Sequence, residues 1–95
     1  MPVFVALGKA TDTGIRNLEA LTVRHERAMQ RAEAAGGKVL ASYALLGHYD
    51  YLVILECADE KTAMRILMRE ASGGNVRYEM LTAMPMKDFA ELVQF

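Results

Sequence analysis

Two short apolar runs on either side of a four-residue corner constrain the fold more than any other stretch of this chain. The runs are KVLASYALLG, residues 38–47, and DYLVILE, residues 50–56, both of strand length and rich in β-branched and aromatic residues. The corner between them, GHYD, leaves room only for a turn. The sequence therefore predicts a β-hairpin in which Gly47 supplies a positive φ and Asp50 accepts backbone amides at the start of the second strand.

Apolar residues three and four apart predict one helical region before the hairpin and one after it. The first lies between threonine N-caps at residues 11–13 and the stop Gly36-Gly37, and its apolar stripe is Leu18, Leu21, Ala28, Met29, Ala32 and Ala35. Because Thr22 offers a second N-cap, the pattern leaves open a short helix followed by a long one. The second helical region begins with Asp59 as N-cap and ends at a Gly-Gly pair, residues 73–74.

Further strands at residues 2–8 and 75–85 complete the order βαββαβ, and a short C-terminal helix follows at residues 86–95. The simplest packing for this order is an α+β, ferredoxin-like βαββαβ fold, with a four-stranded antiparallel sheet and both long helices on one face. No linker or repeat divides the chain, so we expect residues 1–95 to form a single domain.

The sheet face that the helices leave bare is predicted to be apolar as well. Alternation in the second strand places Val39, Ala41, Tyr43 and Leu45 on one face, and Leu40, Ser42, Ala44 and Leu46 on the other. In the third strand it separates Tyr51, Val53, Leu55 and Cys57 from Leu52, Ile54 and Glu56. A face in contact with water would be mostly polar. We therefore expect a second subunit to cover it, which gives a dimeric α/β barrel.

Composition favours self-association and argues against several other classes. The chain is 53% hydrophobic, and its 95 residues allow only a modest core, so apolar surface is left over. One cysteine excludes an internal disulfide, and no His/Cys spacing indicates a metal site. A net charge of −1 with interspersed acids and bases argues against nucleic acid. No run is long enough to span a membrane and the N-terminus has no leader pattern, so we expect a cytoplasmic protein. We also expect no cofactor.

The corner GHYD and three longer segments resemble the GYD family, which is named for a Gly-x-Tyr-Asp-like corner. The segments are MPVFVALGKATDTGIRN at residues 1–17, AEAAGGKVLASYALLGHYDYLVILE at 32–56 and GGNVRYEMLTAMP at 73–85, in the family's order. Many relatives carry a proline where this chain has LTVRHE, so the continuity of the first helix stays open. The resemblance implies the dimeric α/β-barrel superfamily, which holds monooxygenases, isomerases and ligand-binding domains of regulators, and it implies no single activity.

Both histidines are candidates for chemistry, beside structural roles. An imidazole can carry a proton in catalysis, which makes His48 a candidate, although its place in the corner is the variable one of the motif. His25 shares the apolar stripe of Leu21, which suits either a half-buried histidine or one that faces the cleft between helices and sheet. A pocket shared by His25 and Asp50 or Glu56 would make a general base. The catalytic candidates are therefore His25, His48 and Asp50.

Tyrosines and in-strand charges complete the candidate set. The ligand-binding candidates are Tyr43, His48, Tyr49 and Asp50, with Tyr43 opposite Tyr51 in the hairpin and both directed into a barrel interior. Charges within the strands, at Glu56, Arg77 and Glu79, can form a network with the arginine between two carboxylates, which would fix register. The remaining notable groups are an arginine stripe, Arg24, Arg27 and Arg31, predicted to be solvated, and Cys57, predicted to be a buried thiol.

Three functions follow from these observations. The favoured one is a homodimer, or a larger ring, that binds or senses a small molecule, because the sheet is apolar on both faces and no catalytic set is complete. The second is a cofactor-independent enzyme, of monooxygenase, isomerase or cyclase type, acting on a small substrate. The third is an accessory subunit that docks onto a larger enzyme.

Overall fold

A computed structural model describes all of the chain, residues 1–95, and contains every predicted strand and helix in the predicted order. The strands are β1 (Val3–Ala10), β2 (Lys38–Ala44), β3 (Tyr51–Glu56) and β4 (Val76–Ala83). The helical elements are α1 (Asp12–Arg16), a 3₁₀ helix (Leu18–Ala20), α2 (Leu21–Ala34), α3 (Glu60–Ala71) and α4 (Met86–Leu92). None of the helices combines the length and the apolar character that crossing a membrane requires.

The strands form one antiparallel sheet in the order β2-β3-β1-β4, so β1 lies between β3 and β4. In the middle of the sheet, Phe4 of β1 lies opposite Leu55 of β3 and Thr82 of β4. This arrangement confirms the predicted α+β, ferredoxin-like fold. The hairpin strand β2 ends at Ala44, earlier than predicted, because the last apolar residues of its run belong to the corner.

The core lies between the sheet and the helices α2 and α3. Its members are buried almost completely and comprise Phe4, Ala32, Leu55, Cys57, Ala63 and Ile66. The two alanines come one from each helix, and their small side chains let both helices lie close to the strands. Cys57 is the buried thiol that the sequence predicted, and desolvation there raises its pKa, so it stays protonated near neutral pH.

The first helical region is broken at Asn17 rather than at Thr22. Thr11 caps α1, because its Oγ1 accepts from the Gly14 amide at 3.0 Å. The Thr11 amide donates to the backbone oxygen of Asn75 at 3.0 Å, which fixes α1 to the loop before β4. Between α1 and α2 the chain passes through the 3₁₀ segment. Of the two possibilities that the sequence left open, the structure has the short helix followed by a long one, with the break earlier in the chain.

A β-bulge in β2 overturns the predicted alternation of that strand. Val39 pairs with Leu55, but the register shifts before Ala41, which pairs with Ile54. One extra residue moves every later side chain of the strand to the opposite face. Ala41 and Tyr43 therefore lie on the face away from the helices, and the prediction that they share a face with Val39 is wrong.

The face of the sheet away from the helices carries an apolar patch, called the open face below. Its apolar members come from all four strands and are Val3, Val5, Leu7, Ala41, Tyr43, Leu52, Ile54 and Leu81. Tyr43 is 61% exposed and Leu81 43% exposed. The C-terminal segment adds exposed apolar residues, among them Phe89 and Leu92 of α4. A single chain thus leaves uncovered an apolar surface of the kind that other molecules bind.

Candidate functional site

A cavity of about 430 Å³ lies between α2, the sheet and the end of α3, and is called the α2 cavity below. Five elements contribute to its walls. The lining residues include Arg24, His25, Arg31, Tyr51, Val53, Arg69, Glu70, Val76 and Tyr78. The volume falls in the range typical of small-molecule sites. It also lies on the face of the sheet opposite to the open face, because Tyr51, Val53 and Tyr78 share the register of the core strand positions.

The cavity exists because the residues of β1 under the helices decrease in size along the strand. Phe4 fills the core, Ala6 follows, and Gly8 has no side chain at all. A Cβ on Gly8 would lie 3.0 Å from Tyr78 Cε1 and 3.1 Å from Val76 Cγ2, two side chains that line the cavity. The sheet therefore retains space at this end, where a larger residue would push the lining outward.

One face of α2 forms the wall opposite the sheet. Its lining residues recur at spacings of three and four and are Leu21, Arg24, His25, Ala28 and Arg31. Leu21 and Ala28 of the predicted apolar stripe thus line the cavity, whereas Leu18 and Met29 of the same stripe are exposed. Two of the three arginines predicted to be solvated lie at the edge of the cavity. Arg24 is held there because its Nη1 donates to the backbone oxygen of Asn17 at 3.0 Å, across the break between α1 and α2.

The only carboxylate in the lining, Glu70, is paired with Arg31. Nε of Arg31 donates to Oε2 of Glu70 at 2.8 Å, and Nη2 donates to Oε1 at 2.6 Å. The glutamate side chain is 14% exposed and the arginine side chain 39%. This two-point, charge-assisted contact raises the pKa of Arg31. Arg24 and Arg69 have no second carboxylate in the lining, so the cavity is positively charged although the chain carries −1.

Burial raises the pKa of Tyr78 to about 12, with the negative charge of Glu70 adding to the effect and Arg24 opposing it. The phenol is therefore protonated throughout the physiological range and offers a hydrogen-bond donor to the cavity. Its neighbour across β1 is Tyr51, since both lie opposite Gly8 in the sheet register. Two phenol rings thus line the end of the cavity next to the sheet.

The corner after β2, residues 47–50, is fixed by one glycine conformation and by hydrogen bonds to β1. Gly47 has a φ of 152°, which only glycine adopts readily. Oδ2 of Asp50 accepts from the Ala10 amide at 2.8 Å, and the Asp50 amide donates to the backbone oxygen of Gly8 at the same distance. The predicted turn roles of Gly47 and Asp50 are confirmed, with one correction: the carboxylate accepts from the end of β1 rather than from the start of β3.

Tyr49 and His48 lie on the outside of this corner. The Tyr49 hydroxyl donates to the Glu79 carboxylate, and this contact raises the pKa of the phenol. The exposed His48 ring packs edge-on against Tyr49, with ring centres 4.8 Å apart and planes at 79°. The hydrogen bond joins the corner to β4, because Glu79 lies in that strand.

The structure does not bring the predicted catalytic groups together. His25 lines the α2 cavity, whereas neither Asp50 nor Glu56 does, so the histidine–carboxylate pair does not share that cavity. Tyr43 also borders the cavity, but it lies opposite Leu52 in the sheet and is not on the face of Tyr51. The two tyrosines therefore lie on opposite faces of the sheet although both border the cavity, and the bulge in β2 is the reason.

The predicted network of strand charges does not form within the chain either. Arg77 and Glu79 do share the open face with Glu56, as expected from their spacing. Glu56, however, lies opposite Val3, near the other end of β1 from Glu79, whose neighbour is Leu7. The ion pair within 4.0 Å in this chain is Arg31–Glu70, a contact between two helices that no sequence spacing indicated.

No three or more His, Cys, Asp or Glu side chains lie close enough together to hold a metal ion. The α2 cavity can offer a ligand apolar contact, phenol donors and cations. Glu70, Arg69 and Tyr78 are lining residues that the sequence analysis did not select. Tyr78 had one available signal, since it alternates with Arg77 and Glu79 and so lies on the face under the helices.

Comparison with known proteins gives two findings. The family model described as "GYD domain" matches residues 4–93. A protein of Thermus thermophilus named "Glutamine synthetase and cystathionine beta-lyase binding protein" is 36% identical over 89 residues, which cover 93% of this chain and 94% of that protein.

Proposed function

This chain belongs to the GYD domain family, and from that premise we propose that it is a homo-oligomeric accessory protein that binds other enzymes. The observation that carries the proposal is the similarity to a protein named as a binding protein of two enzymes. Since the shared region covers 94% of that relative, the surface it uses for binding lies almost wholly within the region that both chains have. The proposal treats the chain as one domain in the cytoplasm, a setting that suits its single buried thiol.

The open face supports self-association as the first step of assembly. Leu52 and Ile54 lie on the open face of β3, one of the two inner strands of the sheet, and both are only half-buried within their own chain. The apolar residue Phe89 of α4 is 48% exposed. A second copy offers the same two surfaces in return, and a two-fold contact can cover both at once. The occupant that we assign to the open face is therefore a second copy, which gives the dimeric α/β barrel.

The dimer is tested by native mass and by one substitution in the open face. Ile54→Glu buries a charge in the contact between two copies, so we expect the wild type to have the mass of a dimer and this variant to dissociate. Met64→Glu is the matched control, because Met64 is an exposed residue of α3 on the other side of the molecule. A wild-type protein that stays monomeric at micromolar concentration would refute the assignment.

Enzyme binding is tested with purified components. We expect the wild-type protein to elute together with a glutamine synthetase or a cystathionine beta-lyase from its own organism in size-exclusion chromatography. The control is an unrelated metabolic enzyme of similar size and charge, which should elute separately. Failure to form a complex with either enzyme, by a preparation whose native mass is that of the intact assembly, would contradict the accessory role.

A second function, small-molecule binding, is supported by the α2 cavity. A cavity of about 430 Å³ with arginines and phenols in its lining is suited to a small ligand, and it faces away from the proposed dimer contact. Among the predicted site residues, we assign His25 to ligand contact and His48, Tyr49 and Asp50 to the corner. The test is native mass spectrometry of freshly purified protein: a mass above that of the chains, lost on denaturation, supports it. Protein at the bare chain mass that also binds no added compound contradicts it.

A further inference from the structure

We infer that the α2 cavity binds a small organic acid, a carboxylate on an apolar body of about two fused rings, and that Arg24 and Arg69 select its negative charge. The inference rests on the second proposed function, small-molecule binding, and adds the chemical class of the ligand. It is independent of whether the chain dimerises or binds an enzyme.

The charges in the lining of the α2 cavity favour an anionic ligand. Three arginines face the cavity, and the one carboxylate there, Glu70, is satisfied by Arg31 through two hydrogen bonds. Arg24 donates one hydrogen bond to the Asn17 carbonyl, and its other four N–H donors are available to a ligand. Arg69 is exposed in the last turn of α3. Because the chain as a whole is slightly negative, the positive charge of this lining is a local feature that attracts anions.

The charged side chains of the lining offer mainly hydrogen-bond donors to a ligand. Guanidinium groups only donate, and the protonated phenol of Tyr78 donates as well. The acceptor with the highest charge, Glu70, is already occupied. A ligand that matches such a lining carries acceptors in place of donors, and a carboxylate accepts two parallel hydrogen bonds from one guanidinium. A protonated amine has no acceptor for the free arginines, and an alcohol offers one neutral oxygen in place of the two charged oxygens of a carboxylate.

The apolar part of the lining indicates that most of the ligand is apolar. The walls away from the arginines consist of apolar or aromatic surface, supplied by Leu21, Ala28, Val53, Val76 and the rings of Tyr51 and Tyr78. His25 and Arg69 are exposed, while Tyr51, Val53 and Tyr78 are half-buried, so the polar groups surround the mouth and the apolar groups form the inner wall. A ligand with an anionic end and a flat apolar body fits this order from mouth to inner wall.

The experiment uses three probes with one common body: 2-naphthoate, 2-naphthamide and 2-naphthyl phosphate. Their affinities and binding positions are measured by amide chemical-shift titration of the full-length protein. We expect 2-naphthoate to shift the amides of lining residues such as Ala44, Tyr51 and Val76 and to bind at least about tenfold more tightly than the amide. Equal affinity of acid and amide would overturn the charge selection, and a phosphate that binds more than about tenfold tighter than the acid would overturn the carboxylate assignment.

Two charge substitutions separate a ligand contact from a general charge effect. In Arg69→Gln, and in Arg24→Gln and Arg69→Gln combined, the affinity for 2-naphthoate should fall by about tenfold or more, while that for 2-naphthamide stays the same. Arg27→Gln is the matched control, since it removes the same charge from an exposed position of α2 outside the cavity. The Arg69 side chain makes no hydrogen bond to another element, whereas Arg24→Gln removes the hydrogen bond to Asn17. The Arg69→Gln variant therefore tests the inference even if Arg24→Gln alters the position of α2. An unchanged acid affinity in folded Arg69→Gln and in the double variant overturns the inference.

A third variant tests the cavity itself. Gly8→Ala places a Cβ 3.0–3.3 Å from three lining side chains, so it narrows the inner wall without changing any charge. Both naphthoate and naphthamide should then bind more weakly. Shifts confined to the open face or to α4 in the wild type would show that the probes bind elsewhere and would refute both this inference and the second proposed function. They would leave the enzyme-binding proposal standing, because that proposal is tested by complex formation.

Discussion

Replacing Gly14 by alanine should destabilise the protein, although helix propensity predicts the reverse. Gly14 lies within α1, where alanine is favoured over glycine by about 1 kcal/mol in an exposed helix. It is buried, however, and an added Cβ would lie 2.0 Å from the backbone oxygen of Asn75 and 2.9 Å from its carbonyl carbon. Both neighbours are backbone atoms, so no side-chain rotation relieves the overlap.

The magnitude follows from what must separate. Real Cβ atoms essentially never come closer than 3.0 Å to another heavy atom, so α1 and the loop before β4 must move apart by about 1 Å. That movement strains or breaks the hydrogen bond from the Thr11 amide to Asn75, now 3.0 Å long, and the bond from Thr11 Oγ1 to the Gly74 oxygen. Overpacking costs about 1–3 kcal/mol and an orphaned donor a similar amount, against the gain of about 1 kcal/mol in propensity. The expected net loss in the free energy of unfolding is about 3 kcal/mol.

The assay is urea unfolding at fixed protein concentration, since a self-associating protein has a concentration-dependent stability. The matched control is Gly73→Ala, whose Cβ would meet only Glu70 at 3.4 Å and Asn75 at 3.8 Å, an ordinary contact. We expect that control to stay within about 0.5 kcal/mol of the wild type. A Gly14→Ala protein as stable as the control, or more stable, would refute the close contact between α1 and the loop before β4.

Three further changes test other contacts. The pKa of Tyr78 is about 12 in the folded state, against about 10 in the unfolded chain. The unfolded chain therefore loses this proton first, and the free energy of unfolding falls by about 2 kcal/mol between these two pH values. Urea titrations of Tyr78→Phe should lack this part of the decline. Asp50→Ala leaves the Ala10 amide without its acceptor and should cost about 1–2 kcal/mol in urea unfolding, more than Asp50→Asn. Glu70→Ala leaves Arg31 unpaired and should cost about 1 kcal/mol at low salt, and less in concentrated salt; an effect independent of salt would contradict an electrostatic role.

Most of the fold was predictable because its signals are local. Asp59 accepts from the Thr62 amide at 2.8 Å as the predicted N-cap of α3, and Gly36 and Gly74 adopt positive φ where helices were expected to end. The bulge at Leu40 has no such signal, since a leucine within a run of apolar residues fits either face of a strand. One unmarked residue was therefore enough to reverse the predicted face of Tyr43.

The cavity was less predictable because its walls meet only in three dimensions. His25 borders the cavity, which is one of the two positions that the sequence left open for it, since helical periodicity is a local property. The pairing of Arg31 with Glu70 joins residues far apart in sequence, and it depends on how α2 and α3 pack against each other. Gly8 resembled a strand end in the sequence, whereas in the fold it lies inside β1 and maintains the space beneath Tyr78.

The proposed dimer contact and the ligand cavity lie on opposite faces of one sheet, except that Tyr43 belongs to the open face and also borders the cavity. Alternation in β1 shows this directly: Phe4 and Gly8 point toward the helices, whereas Val5 and Leu7 belong to the open face. A charge at Ile54 therefore enters the dimer contact and leaves the cavity lining unchanged, while Arg69→Gln does the opposite. If Ile54→Glu dissociates the dimer yet keeps its affinity for 2-naphthoate, the ligand site is complete within one chain. If affinity is lost together with the dimer, the cavity depends on the second copy for its shape.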